Sequence, residues 1–102
     1  MVQFLVLAYD DTDAGAPERR LAARPAHFEG LKPMVEKGEI RAGGAILDDK
    51  GAMVGSAVLA DFPSRADLDA WLAREPYMQK GVWKRVEVQP FRIAVLAGAV
   101  MP

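Results

Sequence analysis

Two segments of this chain are apolar at successive positions instead of at alternate ones. Residues 2–9 contain a single polar side chain, Gln3, and residues 52–61 place apolar side chains on both faces of an extended backbone. Because side chains alternate between the two faces of a strand, such segments predict strands that are buried on both sides. A fold for this sequence must therefore cover both faces of these strands.

A first helix is predicted over residues 17–37, followed by Gly38, which is typical of a helix C-terminus. Pro25 indicates a new first helical turn after Arg24, because proline lacks the N–H that an internal helical position donates. Pro33 predicts a bend further along. The expected buried stripe of this helix consists of four apolar residues: Leu21, Phe28, Leu31 and Val35.

The remaining elements follow from turn and capping signals. Two strands are predicted over residues 39–47 and 52–61, and the intervening residues 48–51 end in a glycine, as hairpin turns often do. Ser64 predicts the capped start of a second helix. A final strand is predicted over residues 82–95. The element order is therefore βαββαβ.

This order predicts an α+β fold of the ferredoxin-like kind, with a four-stranded antiparallel sheet and both helices on one face. We expect a single domain over residues 1–102. Two helices cover only one face of the sheet, although the strands at 2–9 and 52–61 are apolar on both. We therefore expect the open face to pack against the same face of a second copy, giving a homodimer.

Composition excludes several functions. The net charge is −1, and the 13 basic and 14 acidic residues are scattered, so we expect no binding to nucleic acid or to an anionic membrane. The absence of cysteine excludes disulfides and thiolate nucleophiles. No apolar run approaches the roughly 20 residues of a membrane span, and the N-terminal segment lacks the basic region of a signal peptide. We expect a cytoplasmic protein.

The single histidine, His27, is the best candidate for a reactive side chain. If a helix begins at Pro25, His27 lies in its first turn, where the helix dipole favours a neutral ring that can accept a proton. Glu75 lies in an irregular joint from which its carboxylate could orient the ring. The alternative is a structural histidine bonded locally and a solvated glutamate. The aspartates at 10, 11 and 13 are interpreted as a solvated loop, and no metal site is expected.

Several short motifs occur together in this chain. They are Arg24-Pro25-Ala26-His27-Phe28, Ala42-Gly43-Gly44, Gly55-Ser56 and Glu75-Pro76-Tyr77. In this order and spacing, the chain resembles the YciI-like (YCII-related domain) family over residues 4–93. The resemblance implies a ferredoxin-like protomer within a dimeric α/β barrel, which agrees with the open-face argument.

The resemblance also implies roles for individual residues. Family members carry a histidine and an aspartate proposed as an acid/base dyad, and these positions fall on His27 and Glu75. The carboxylate is kept here, but its side chain is one methylene longer. Arg24, Ser56 and Tyr77 are expected to bind substrate, Arg24 through its planar guanidinium.

From these residues we expect acid/base chemistry on a small organic substrate without a cofactor, and the resemblance implies that the reaction is an elimination or an isomerisation. The resemblance supports this, because the few enzymes of this kind act on small ring compounds without a cofactor. The alternative is a non-catalytic dimeric module that binds a metabolite or a protein. The sequence leaves open whether the protein is an enzyme, since a fold does not determine a function.

Overall fold

The strands that are apolar on both faces lie at the centre of the sheet. The computed structural model describes residues 1–100, in which strands β1 to β4 form one antiparallel sheet in the order β2-β3-β1-β4. The elements are β1 (Val2–Asp10), α1 (Ala16–Glu36), β2 (Ile40–Leu47), β3 (Met53–Phe62), α2 (Arg65–Arg74), α3 (Pro76–Gln79), β4 (Trp83–Pro90), β5 (Val95–Leu96) and β6 (Ala99–Val100). The predicted α+β, ferredoxin-like fold is confirmed.

The two faces of the sheet differ in burial. Alternate residues of β1 and β3 are buried in the core: Phe4, Val6, Ala8, Val58, Ala60 and Phe62. Leu68 and Trp71 of α2 are buried with them. The other face carries apolar residues that are only partly buried, and we call these residues the open face: Leu5, Leu7, Ala57 and Leu59. Leu5 lies opposite Leu59 and Leu7 opposite Ala57 in the β1–β3 register. Within residues 1–100, the helices therefore leave an apolar sheet face uncovered.

Helix α1 runs without interruption through both prolines. Pro25 and Pro33 deprive the carbonyls four residues earlier of a partner, and these carbonyls belong to Leu21 and Glu29, whose exposed positions give water access. The predicted new start at Pro25 is therefore wrong. His27 lies in the middle of the helix, and the helix-dipole argument for its neutrality no longer applies. No helix within residues 1–100 is both long and apolar enough to cross a membrane.

The buried face of α1 also differs from the predicted stripe. Leu21, Phe28 and Val35 are exposed, and the helix instead buries a set of small, polar and flexible residues: Ala16, Arg20, Ala23, His27 and Met34. The three exposed residues each follow a buried one by one position, which is about 100° around a helix with 3.6 residues per turn. The fourth predicted residue, Leu31, is partly buried and packs against the core. The hydrophobic pattern did not predict this face, because two of its buried residues, Arg20 and His27, are polar and are buried together with polar partners.

The final strand is shorter than predicted. β4 ends at Pro90, which has no N–H for a further ladder bond, and the Phe91 N–H donates to the Gln3 carbonyl at 3.0 Å. Val95 does not continue this strand but begins β5, which pairs with β6 in a small separate hairpin. The prediction of one strand up to residue 95 is therefore wrong for its last residues.

Gly55 allows β3 to pass close to β1 beside the candidate site. A Cβ at this position would lie 2.5 Å from the Ala8 carbonyl oxygen, which is backbone and cannot move aside. We expect Gly55→Ala to lower the free energy of unfolding by about 1–3 kcal/mol, measured by urea denaturation. Gly30→Ala in α1 is the matched control, since nothing lies within 4 Å of its Cβ, and should raise that energy by up to about 1 kcal/mol. Equal effects of the two changes would contradict the close approach.

Candidate active site

The fold brings His27 and Glu75 into contact, although 48 residues separate them. His27 Nδ1 hydrogen-bonds to Glu75 Oε1, and the two side chains are only 8% and 3% exposed. Glu75 has an extended backbone between α2 and α3, where Pro76 starts the short helix, and its Oε1 also accepts from the Tyr77 N–H at 3.4 Å. A carboxylate has no proton to donate, so Nδ1 carries the hydrogen of this bond, and in a neutral ring Nε2 then keeps its lone pair.

Two aromatic rings hold the imidazole in place. Tyr77 stacks on His27 with ring centroids 4.0 Å apart and an interplanar angle of 14°, and Trp83 meets it edge-on at 6.0 Å and 78°. Burial raises the pKa of the Tyr77 phenol above its usual range, so this neighbour stays neutral at physiological pH. The ring orientation of His27 is thus set by the Glu75 carboxylate and by packing together.

A cavity of about 790 Å³ opens beside His27, between α1 and strands β2 and β3. Its apolar walls include Phe28, Leu31 and Val58. The polar and charged residues that line it are Arg20, Arg24, His27, Lys32, Glu36, Arg41, Ser56 and Tyr77. Apolar walls combined with polar groups that can orient a ligand are typical of small-molecule sites. The hydrogen bonds among residues 1–100 leave His27 Nε2 without a partner, and Glu75 stands behind the ring, outside the lining.

Arg24 stands at the exposed side of this cavity. Its guanidinium carbon lies 5.1 Å from the centroid of the Phe28 ring, a cation–π contact. Within residues 1–100 it forms no ion pair, in contrast to Arg19, Arg20 and Arg41. The guanidinium donors of Arg24 therefore remain available to a ligand.

Ser56 lies deeper, where β3 faces α1, and is bonded to the protein. Its Oγ accepts a hydrogen bond from Arg20 Nη2 at 3.0 Å and another from Trp83 Nε1 at 3.2 Å. The residue is buried but still lines the cavity. The structure therefore places Arg24, Ser56 and Tyr77 around one cavity with His27, as a shared ligand would require.

The sequence analysis missed Arg20, a second arginine beside His27 and Ser56 in the cavity. Arg20 is 4% exposed, and its Nη1 donates to both carboxylate oxygens of Asp10, at 2.8 and 2.9 Å. Asp10 is therefore part of a buried ion pair at the end of β1, and its interpretation as a solvated loop residue is wrong. One signal was available: Arg20 precedes His27 by seven residues, which places both on the same face of a helix.

The rest of the acidic loop lies at the surface. Asp13 is exposed and pairs with Arg19 at 2.7 Å, and this guanidinium lowers the pKa of the Asp13 carboxyl to about 2. Within residues 1–100, no three histidine, aspartate or glutamate side chains cluster closely enough to hold a metal ion. A histidine bonded to a carboxylate can accept or donate a proton, which is the chemistry that this contact allows.

Comparisons with known proteins match this chain over most of its length. Residues 2–92 match the family described as YCII-related domain. The protein YciI of Escherichia coli O6:H1 is 34% identical over 94 residues, which cover 86% of this chain and 96% of that protein. An uncharacterised protein of Haemophilus influenzae is 32% identical over 81 residues, or 74% of this chain and 83% of that protein.

Two solved structures share the fold. The 5-chloro-2-hydroxyhydroquinone dehydrochlorinase TftG of Burkholderia phenoliruptrix AC1100, in complex with 2,5-dihydroxybenzoquinone, is 25% identical with a TM-score of 0.76. The match covers 88% of this chain and 93% of that one. A dimeric ferredoxin-like protein of unknown function from Jannaschia sp. CCS1 is 16% identical with a TM-score of 0.52, and the match covers 91% and 100% of the two chains.

Proposed function

The chain belongs to the YCII-related domain family, and from this premise we propose that it is a cofactor-independent acid/base enzyme. Its substrate is a small, oxygen-bearing ring compound, and its reaction is an elimination or an isomerisation. His27 is the proton acceptor, and Glu75 orients the ring and offsets its positive charge. Arg24, Ser56 and Tyr77 bind the substrate. The small-molecule cavity and the likeness to a dehydrochlorinase support this proposal.

One observation carries the proposal: Nδ1 of His27 is bonded to a buried carboxylate, and Nε2 has no partner within residues 1–100. A general base needs a free lone pair beside its substrate and a neighbour that stabilises the cation it becomes. Glu75 meets the second need despite its extra methylene, since its Oε1 reaches the ring. A histidine kept only for packing would not need a buried carboxylate behind it and a cavity in front.

The proposed proton transfer needs no reactant other than the substrate, which supplies the proton and the electron pairs that move. In an elimination from a chlorinated hydroquinone, the reacting form is the keto tautomer, in which one ring carbon carries both hydrogen and chlorine. Nε2 takes the proton of a ring hydroxyl, the O–H electron pair forms a second carbonyl, the ring double bond shifts by one position, and chloride departs with the C–Cl electron pair. The proton then passes from His27 to solvent. In an isomerisation, Nε2 takes a proton from one ring carbon, and the imidazolium returns it to another ring carbon. The Glu75 carboxylate stabilises the imidazolium in both reactions, because the contact is buried and weakly screened.

The test is chloride release from 5-chloro-2-hydroxyhydroquinone, the substrate in the name of the TftG dehydrochlorinase. We expect native protein to release chloride faster than the same amount of heat-denatured protein under anaerobic conditions. Anaerobic conditions prevent oxidation of the substrate by air. Equal rates with native and denatured protein would contradict the elimination reaction.

We also propose that the protein works as a homodimer through its open face. Leu5, Leu7, Ala57 and Leu59 present a continuous apolar surface that the described helices do not cover. A second copy supplies an identical surface, and a two-fold interface pairs each patch with itself. Two four-stranded sheets packed in this way form the α/β barrel that the family resemblance implies. The dimeric ferredoxin-like protein of Jannaschia sp. CCS1 shares this fold, which supports the proposal.

A further inference from the structure

The hydroxyl of Ser56 has a fixed hydrogen-bonding direction. A serine hydroxyl offers two acceptor lone pairs and one donor proton. Arg20 Nη2 and Trp83 Nε1 both donate to Ser56 Oγ, at 3.0 and 3.2 Å, and therefore occupy both lone pairs. A guanidinium and an indole N–H cannot accept a hydrogen bond in return. The Ser56 proton must therefore point away from both of these neighbours.

The cavity is the place that remains for this proton. Ser56 lines the cavity, and its hydroxyl donates to no acceptor within residues 1–100. Trp83 connects this serine to the proposed base, because its indole N–H bonds Ser56 and its ring contacts the edge of His27. A bound ring that reaches His27 therefore lies close to the free Ser56 donor.

Arg20 cannot easily turn away from Ser56. The Asp10 carboxylate holds Nη1 through both oxygens, and the guanidinium carbon lies 4.9 Å from the centroid of the Tyr77 ring. The Nε–H of Arg20 is buried and lacks a partner within the part of the chain that is described. The positive charge is therefore fixed beside Ser56, where it polarises the hydroxyl and favours electron-rich atoms in the cavity.

From this network we infer that Ser56 is an obligate hydrogen-bond donor to an oxygen of the substrate, and that Arg20 is the positioning residue that makes it one. The inference rests on the proposed function and specifies its substrate class: a ring carbonyl, enolate or phenolate. When His27 removes a proton next to a ring carbonyl, the C–H electron pair moves toward the carbonyl oxygen. The Ser56 donor then stabilises the resulting oxyanion, as preorganised donors do in other enzymes.

The test compares two probes of similar shape, 4-nitrophenolate and 4-nitroanisole, at a pH at which the phenol is ionised. Only the first presents an oxyanion to Ser56. We expect the native protein to bind the phenolate more tightly, and we expect Ser56→Ala to reduce this preference about tenfold or more, measured as the ratio of the two dissociation constants. The anisole is the internal control, because damage to the cavity weakens both probes alike.

A second variant tests the role of Arg20. The double change Asp10→Asn with Arg20→Met removes both charges of the buried pair, so that neither is left unpaired. It frees the Ser56 hydroxyl to rotate, and we expect the phenolate preference to fall while anisole affinity is kept. Equal binding of both probes by the native protein, binding of neither, or an unchanged ratio in Ser56→Ala overturns the inference. Failure of the proposed function is distinguishable, since it is a failure of chloride release.

Discussion

His27→Gln is expected to slow chloride release from 5-chloro-2-hydroxyhydroquinone by about 10²–10⁴-fold, the usual contribution of a positioned general base. Glutamine keeps a polar group of similar reach beside Glu75 but cannot take a proton at neutral pH. The loss should appear in kcat, because the groups expected to bind the substrate, Arg24 and Ser56, are unchanged. The loss in kcat is measured by steady-state kinetics of the native protein and the variant. Circular dichroism checks that both are folded.

The matched variants at Glu75 separate orientation from proton transfer. Glu75→Ala removes the partner of Nδ1 and should cost about 10–100-fold, as loss of an orienting neighbour commonly does. Glu75→Asp restores the side chain that the family resemblance implies at this position and should keep more activity than the alanine variant. A His27→Gln protein as active as the native one would show that the contact of His27 with Glu75 serves only the fold.

Leu59→Glu is expected to convert the dimer into a monomer. In the proposed assembly, Leu59 faces the partner sheet, as does its cross-strand neighbour Leu5. Each protomer of the variant carries one new glutamate, so the dimer would bury two carboxylates without partners at a cost of several kcal/mol. Light scattering at micromolar concentration measures the mass. The native protein should have twice the 11.1 kDa mass of the chain, and the variant should have the single value.

Leu21→Glu is the control for this prediction. Leu21 is 58% exposed on α1, so the same chemical change there should leave the dimer intact. A native protein with the mass of one chain, or a dimeric Leu59→Glu protein, would contradict the open-face interface. A monomeric Leu21→Glu protein would place the interface on the helices instead.

Most of the sheet was predictable because its strands carry a simple signal. The apolar run of β1 and the glycine of the β2–β3 turn are local signals, because each involves only residues that are neighbours in the chain. Gly51 adopts a φ of +85°, as the turn chemistry indicated. The end of the last strand was not predicted, because the apolar residues after Pro90 resemble a continued strand although they form a separate hairpin.

The buried face of α1 could not be found from hydrophobicity. The helix buries Arg20 and His27 and exposes Leu21 and Phe28, which reverses the usual pattern. This arrangement is stable because the carboxylates of Asp10 and Glu75 come from other elements and supply the partners. A single sequence does not show which residues meet across the fold, so the network around Arg20 was missed.

The candidate site was predicted in part. The contact of His27 with Glu75 was expected from the position of Glu75 in an irregular joint and from the family resemblance, and the structure places the two side chains together. The reason first given for a neutral His27, a position in the first turn of a helix, does not hold, because α1 continues through Pro25. The Glu75 carboxylate explains a different property, namely which nitrogen of a neutral ring carries the proton.

The tautomer of the His27 ring tests the central claim most directly. The chain has one histidine, so a long-range ¹H–¹⁵N correlation spectrum reports this ring without overlap. At a pH at which the ring is neutral, we expect the proton on Nδ1 and a free lone pair on Nε2, because Glu75 accepts from Nδ1. In Glu75→Ala the Nδ1–H form should lose its predominance. A native ring with its proton on Nε2, or a spectrum that Glu75→Ala leaves unchanged, would contradict the acid/base pair.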